Sequence, residues 1–277
     1  MVVVARIVRF EGHFPGKVVP PRDSYQTLTF DKLAAPTGHP NNARVDSAEI
    51  QKLVALEDRH WWYRERRALL ARHLRRLPGP PGRALDIGAA GGGNTRVLQQ
   101  HGWKPIAVEY GHDGATAAKQ RKLPTVRGDG RRIPIKSGSI DLVLAFDVLE
   151  HIDDDERVAA EINRVLRPGG SALITVPCDM KLWSAHDVAV GHLRRYTRDT
   201  LRTAVENGGL HIERLWSWNV LLRPAAATVR KRSTSSDLRK MNPIVNAALS
   251  AVIVSERYLP VQSLPGVSLM VQAVRGK

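Results

Sequence analysis

The sequence of 277 residues has a single cysteine, Cys178. One thiol can form neither an intrachain disulfide nor a thiolate zinc cluster, and such scarcity fits a reducing cytoplasm. Long apolar runs are missing too. The opening Met1-Val2-Val3-Val4-Ala5-Arg6 falls short of the roughly 7–15 apolar residues at the heart of a signal peptide. The longest candidate for a spanning helix, around Ile244 to Val254, contains Asn246 and has about half of the ~20 residues needed. The expectation is a soluble cytoplasmic protein, with peripheral membrane contact left open. Internal repeats are absent, which excludes solenoids and propellers. What is present is an ordinary apolar fraction, 43%, sufficient for one medium domain with extensions or two small ones.

The formal charge is +15. Such a balance favours polyanionic partners: nucleic acid, an anionic lipid surface or a phosphorylated substrate. The basic residues are mostly scattered, so a merely basic soluble surface stays open. Local clusters occur at Arg64/Arg66/Arg67, Arg72/Arg75/Arg76 and Arg230/Lys231/Arg232. No obligate protein partner is evident.

Residues 1–44 are rich in Pro, Gly and Asn without a sustained period, and read as loosely ordered. Asp46 or Ser47 can cap a helix running to Leu77 that carries His60-Trp61-Trp62-Tyr63, so 45–80 reads as a helical lid. Its three aromatics point different ways on a helix, so at least one belongs to the core. Pro78-Gly79-Pro80-Pro81-Gly82 closes the helix. From there short β-rich runs alternate with helical ones, predicting βαβ units and a parallel sheet over 81–219. Strands are expected at Arg83–Gly88, Lys104–Tyr110, Thr125–Gly128, Ile140–Phe146 and Gly170–Val176, then Leu210–Trp218. Helices are expected at Asn94–His101, Asp113–Lys122, Asp153–Leu166 and Arg198–Asn207. Arg167-Pro168-Gly169-Gly170 reads as a turn. Residues 220–262 read as a helical cap insertion broken at Pro224 and Pro243, with an ordinary helical hairpin packed on the core as the other reading, and 263–277 as a return to the core with a last strand, Val267–Val274. The expected fold class is α/β, a Rossmann-like doubly wound, mostly parallel seven-stranded sheet.

The first strand runs into Leu85-Asp86-Ile87-Gly88-Ala89-Ala90-Gly91-Gly92-Gly93. Glycines between a buried strand and a helix allow a tight turn and close approach of a ligand, and the next helix offers its unpaired N–H groups. A glycine loop by itself admits flavin and nicotinamide enzymes as well. Glu109 ends the next strand and can accept both ribose hydroxyls of an adenosine cofactor, with Tyr110 beside it. Asp86, before the first glycine, suits a cofactor with an ammonium and a carboxylate in place of a pyrophosphate. Asp129, within Gly128-Asp129-Gly130, can accept from an adenine amino group, next to the Arg131 backbone N–H. These residues point to S-adenosyl-L-methionine, with Asp86, Gly88, Ala89, Gly91, Glu109, Tyr110, Asp129, Gly130 and Phe146 as its candidate contacts.

With these motifs in place, residues 83–180 resemble the class I S-adenosylmethionine-dependent methyltransferase family. The chain departs at Ala89-Ala90, where the family often has Cys-Gly. The flanks resemble a bacterial subgroup with Trp61-Trp62-Tyr63-Arg64-Glu65-Arg66-Arg67 before the core and Trp183-Ser184-Ala185-His186-Asp187…Gly191-His192-Leu193-Arg194-Arg195-Tyr196 after it. The resemblance implies an enzyme whose cofactor supplies an activated methyl group, while the protein aligns the nucleophile and excludes water.

A general base is needed where the acceptor is a hydroxyl. His151, after Phe146-Asp147-Val148-Leu149-Glu150, is the first candidate, with a side chain suited to neutral pH; a packing role at the helix start is the alternative. His186 or His192 can serve instead. The Asp-x-x-Glu-His spacing also resembles ubiquinone-biosynthesis O-methyltransferases, which implies a metal alternative at Asp147, Glu150 and His151, though no metal is the primary expectation. Trp183, Arg194, Arg195 and Tyr196 are candidate acceptor contacts on a loop over the cofactor mouth; an internally hydrogen-bonded lid is the other reading. Cys178 reads as a buried structural thiol. The expected acceptor is a small molecule or lipid-linked compound, methylated on oxygen. An RNA or DNA methyltransferase is the alternative prompted by charge. Base N-methylation enzymes often carry Asn/Asp-Pro-Pro-Tyr/Phe after the fourth strand, where this chain has Phe146-Asp147-Val148-Leu149. A non-catalytic adenosylmethionine-binding protein is the third reading, prompted by Ala89-Ala90.

Overall fold

The computed structural model describes residues 47–232 and 241–276. The expectation for 1–44 lies outside the described residues, as does the middle of the 220–262 insertion. Among the described residues, seven strands form one sheet: β1 (Arg83–Ile87), β2 (Lys104–Glu109), β3 (Thr125–Arg127), β4 (Ile140–Phe146), β5 (Leu166–Pro177), β6 (Leu210–Trp218) and β7 (Ser268–Arg275), in the order β3-β2-β1-β4-β5-β7-β6. Strands β1 to β5 pair in parallel, and β7 lies antiparallel between β5 and β6. The expected seven-stranded, mostly parallel α/β sheet is what forms.

The central strands are apolar at nearly every position because both sheet faces are covered. Successive β4 side chains point to opposite faces. Val143 and Ala145 join a core with Val158, Ile162 and Val165 of α5 (Asp155–Val165) and Leu201 and Val205 of α7 (Arg198–Asn207). Leu142, Leu144 and Phe146 join the opposite core with Leu70 and Leu74 of α2 (Trp61–Leu74), Val97 and Leu98 of α3 (Gly93–Gln100) and Ile253 of α9 (Pro243–Glu256). The α5 apolar positions 158, 162 and 165 recur at helical spacing, which is why one face of that helix is buried. Helix α4 (His112–Gln120) follows β2.

The chain order places β2 and β3 on one side of β1, and β4 and β5 on the other. The connections diverge there, the arrangement in which open α/β sheets bind ligands at strand carboxyl ends, here those of β1 and β4.

Three local expectations change. The single helix drawn to Leu77 is two, α1 (Ser47–Leu56) and α2, separated by residues 57–60. The break turns the Glu57 carboxylate into the protein, where it pairs with Arg121, and His60 caps α2 by accepting from the Trp62 amide at 3.3 Å. The breaks expected at Pro224 and Pro243 fall just before them: the prolines stand in the first turns of α8 (Arg223–Arg232) and α9, where a missing N–H costs nothing. The Arg167–Gly170 turn is looped out within β5, since the register with β4 jumps from Ile140↔Leu166 to Leu142↔Ser171. No helix among the described residues is long and apolar enough to cross a membrane.

Candidate active site

The parallel register brings the residues chosen for the cofactor to one edge. Asp86 lies on β1, Glu109 ends β2, Phe146 ends β4, and Asp129 with Gly130 follows β3. Asp86 is fully buried and accepts a hydrogen bond from Thr95 Oγ1 at 2.6 Å. Burial pushes its carboxyl up to about 7, opposed by the Thr95 bond and assisted by the nearby Glu109 charge. Glu109 accepts from the Ala90 amide at 2.6 Å and the Gly111 amide at 3.4 Å. Burial raises its pKa against those amide bonds. Asp129 accepts from the Arg131 backbone amide at 2.8 Å and pairs with the Arg131 guanidinium at 2.8 Å. Despite partial burial, that partner holds Asp129 below the usual carboxylate range. The Tyr110 carbonyl accepts from Arg127 at 3.1 Å.

The loop between β1 and α3 has little freedom. Gly88 has φ +66°, and a Cβ there would lie 2.7 Å from Val148 Cγ2. A Cβ at Gly91 would lie 2.7 Å from Glu57 Oε1, so this glycine also admits the chain following α1. Arg121 anchors that cover by donating to the Gly91 carbonyl at 2.6 Å while pairing with Glu57. Ala89 is buried in a small cluster with Ala107, Ala118 and Leu123. Ala90 adopts φ +46°, a left-handed conformation that costs an L-residue roughly 1–2 kcal/mol. Buried carboxylates at the ends of β1 and β2, around a loop where Cβ atoms cannot fit, suit a cofactor offering an ammonium group and two ribose hydroxyls.

A second group lies beyond β4. His151 Nδ1 is 3.1 Å from the Gly191 carbonyl. A carbonyl only accepts, so Nδ1 carries the proton and Nε2 the lone pair. Burial, with the neighbouring His192, lowers His151 to about 4. The His151 and His192 rings are 4.8 Å apart, and those of His186 and His192 6.2 Å. The structure therefore brings the three candidate histidines into one cluster. His192 Nδ1 lies 2.7 Å from Asp187 Oδ1. Asp187 is buried, and against that burial His192 and Arg195 hold its pKa low. Asp187 is also the third residue of α6 (Ala185–Ala189), where it completes a capping box with Ser184.

The other loop candidates turn inward. The Arg195 guanidinium is fully buried against Asp187 at 2.8 Å and donates to the Cys178 carbonyl at 3.1 Å. Arg194 pairs with Asp155 at 3.0 Å and donates to the Asp153 carbonyl at 2.8 Å. The Tyr196 hydroxyl donates to Asp155 at 2.6 Å, and burial together with that carboxylate raises its pKa strongly. These bonds favour an internally tied lid over direct acceptor contact for Arg194, Arg195 and Tyr196. Trp183 is half-buried beside α6. The metal alternative changes membership as well. Asp147 turns to Arg66 and Thr175, and the set whose ligand atoms approach within 4.8 Å is Glu150, His151 and His192.

Glu57 and Asp155 stand in no motif of the sequence, and Arg66 stands there only as one member of a basic cluster and of segment 61–67. Arg66 sits 5.2 Å from the Phe146 ring centroid and reaches Asp147 across 81 residues of sequence, a pairing no local pattern announces. For Asp187 a signal existed: Ser184-x-x-Asp187 is a capping-box pattern. Trp61 is buried in the core with Leu142 and Leu144, so one of the three aromatics is indeed core. Cys178 is a buried free thiol, as expected.

Comparison with known proteins bears on this arrangement. Residues 61–215 match the methyltransferase domain family. A "Probable S-adenosylmethionine-dependent methyltransferase" of Mycolicibacterium smegmatis is 26% identical over 64% of this chain and 70% of its own length. The ubiquinone biosynthesis O-methyltransferase of Pseudomonas aeruginosa is 29% identical over 48% of this chain and 64% of its own length. The chain spans about half the length of four further mycobacterial methyltransferases that it matches at 29–30% identity. Among solved structures, a methyltransferase in complex with the Trm112 methyltransferase activator of Haloferax volcanii shares the fold, with TM-score 0.58 and 19% identity over 84% of this chain and 99% of that one. The glycine loop, the carboxylates at the strand ends and a family match over more than half of its residues agree: the chain belongs to the methyltransferase domain family and is an S-adenosylmethionine-dependent methyltransferase.

Proposed function

We propose that this methyltransferase transfers the methyl group to a hydroxyl oxygen of a small-molecule or lipid-linked acceptor. The observation that carries this reading is the clustering of His151, His186 and His192 beyond the carboxyl end of β4, with the His151 lone pair on Nε2. An amine nucleophile arrives with its own lone pair; a hydroxyl needs help losing its proton, which a neutral imidazole group provides. Asp86 would face the amino-acid end of the cofactor, Glu109 its ribose and Asp129 its adenine. Once bound, S-adenosylmethionine supplies a methyl already activated by sulfonium. The similarity to the ubiquinone biosynthesis O-methyltransferase supports oxygen as the acceptor atom. Methyl transfer from labelled cofactor into cell extract, fractionated into lipid, RNA, protein and small molecules, tests the reading. Label in the lipid or small-molecule fraction, stable to acid as an ether, is expected. Label in RNA would overturn it.

The lipid-linked form of this proposal has a specific support. Ile244 is 79% exposed and Tyr258 83% exposed, with Val245, Leu259 and Leu264 exposed nearby, in a chain of charge +15. Exposed apolar side chains at both ends of α9, on a basic protein, suit an anionic bilayer surface. Flotation with vesicles containing anionic lipid, and none with zwitterionic vesicles, is the expected result.

A further inference from the structure

Glu150 has no exposed surface, and neither of its carboxylate oxygens has a hydrogen-bond partner. A buried acid left this way is costly unless a charge or proton answers it. Two imidazole groups stand beside it. His192 Nε2 is 3.8 Å from Glu150 Oε1, and one ligand atom from each of Glu150, His151 and His192 lies within 4.8 Å of the others. The orientation of both rings is set from behind. His192 Nδ1 is held by Asp187 at 2.7 Å, and His151 Nδ1 by the Gly191 carbonyl at 3.1 Å. With each Nδ1 engaged, Nε2 is the nitrogen left to each ring for a ligand. An imidazole group whose far nitrogen donates to a carboxylate or carbonyl is the arrangement that fixes metal-ligating histidines. Asp187 is itself fastened by Arg195 at 2.8 Å.

We propose that Glu150, His151 and His192 form a two-histidine, one-carboxylate site for a divalent first-row transition ion that binds the acceptor hydroxyl. Two imidazole groups and one carboxylate suit zinc, manganese or iron over magnesium or calcium, which prefer all-oxygen shells. Three protein ligands leave an open position, as in catalytic sites. Ligand atoms on bonds of about 2.0–2.2 Å in a tetrahedral shell stand about 3.3–3.6 Å apart, so a bound ion would draw the 4.8 Å spread together by about 1 Å. The site differs from the one suggested by the Asp147-Glu150-His151 spacing, because Asp147 is committed to Arg66 and Thr175. His192 reaches it from 42 residues further along the chain.

The chemical role rests on the proposed hydroxyl acceptor; ion binding does not. With the Nε2 lone pairs of His151 and His192 on the ion, the ion takes the place of the imidazole base: at the open position the acceptor O–H would be polarised and its proton would pass to solvent. The oxygen lone pair then forms the O–CH3 bond while the S–CH3 bond breaks and its electrons remain on sulfur. The products are a methyl ether and S-adenosylhomocysteine.

The test uses the untagged full chain, stripped with chelator and titrated calorimetrically with zinc chloride and manganese chloride. One equivalent of ion per chain is expected, and cobalt loading should give visible absorption bands of a low-coordinate site. His192→Ala and Glu150→Gln should each weaken binding at least about 100-fold, and Asp187→Asn about 10–100-fold by releasing the His192 ring. Asp147→Asn should leave ion affinity within about twofold. Thermal melts check that each variant folds; if Glu150→Gln does not, His192→Ala and the cobalt spectrum decide. Absence of stoichiometric uptake, uptake that survives His192→Ala, or a loss confined to Asp147→Asn would overturn the site. Uptake with these mutational effects, but no methylation of hydroxyl acceptors, would retain the site and reject the acceptor proposal.

Discussion

The Glu109 carboxylate at the end of β2 accepts a hydrogen bond from the Ala90 amide at 2.6 Å, tying the second strand to the glycine loop that follows the first. The acid proposed for the cofactor ribose thus also supports the loop proposed for its amino-acid end. Glu109→Ala should weaken S-adenosylmethionine binding by about 1–3 kcal/mol, through lost charge-assisted hydrogen bonds and a less ordered loop. Calorimetry gives the affinity; an unchanged value would remove Glu109 from the cofactor site.

Ala90 carries the strain of that loop, with φ +46°. Glycine there escapes the Cβ penalty of about 1–2 kcal/mol but loses about 0.5–1 kcal/mol to greater unfolded-state freedom. Ala90→Gly should therefore stabilise the protein by up to about 1.5 kcal/mol and raise its melting temperature. A lower melting temperature would show that the Ala90 methyl group contributes packing that outweighs the strain.

Asp86 links stability to pH. Burial raises its folded pKa from 3.8 to about 7. The folded state then holds a proton that the unfolded state has released, so the contribution to stability is full below 3.8 and is lost as pH rises to about 7. The change amounts to about 4 kcal/mol over that window. Asp86→Asn should flatten this part of the stability curve, as read from denaturant melts between pH 4 and 8. An equal slope in the variant would place the linkage elsewhere.

Tyr196 distinguishes an internal lid from an acceptor contact. Its hydroxyl donates to Asp155 at 2.6 Å in a buried setting. Tyr196→Phe should cost about 1.5–3 kcal/mol of stability, the range for a hydrogen bond to a charged group, while KM for the acceptor stays within about twofold. A large rise in KM with unaltered stability would restore Tyr196 to the acceptor site.

Local physics made much of this protein readable in one dimension. Strand β4, Ile140–Phe146, helix α7, Arg198–Asn207, and strand β6, Leu210–Trp218, fall where the apolar pattern places them, because burial on one face or two dictates which positions can be polar. Asp86, Gly88 and Glu109 were legible as a set because strand, turn and helix follow one another with no long-range information required. Tertiary structure decided the rest, since its partners lie far apart in sequence. Arg66 takes Asp147 out of the metal alternative across 81 residues. Asp155 claims Tyr196 and Arg194 across 41 and 39 residues. Glu150 meets His192 only because the chain after β5 folds back over the end of β4, leaving that carboxylate dry and beside two imidazole groups. A periodic pattern tells which face of an element is buried; it does not tell which polar group waits on the other side.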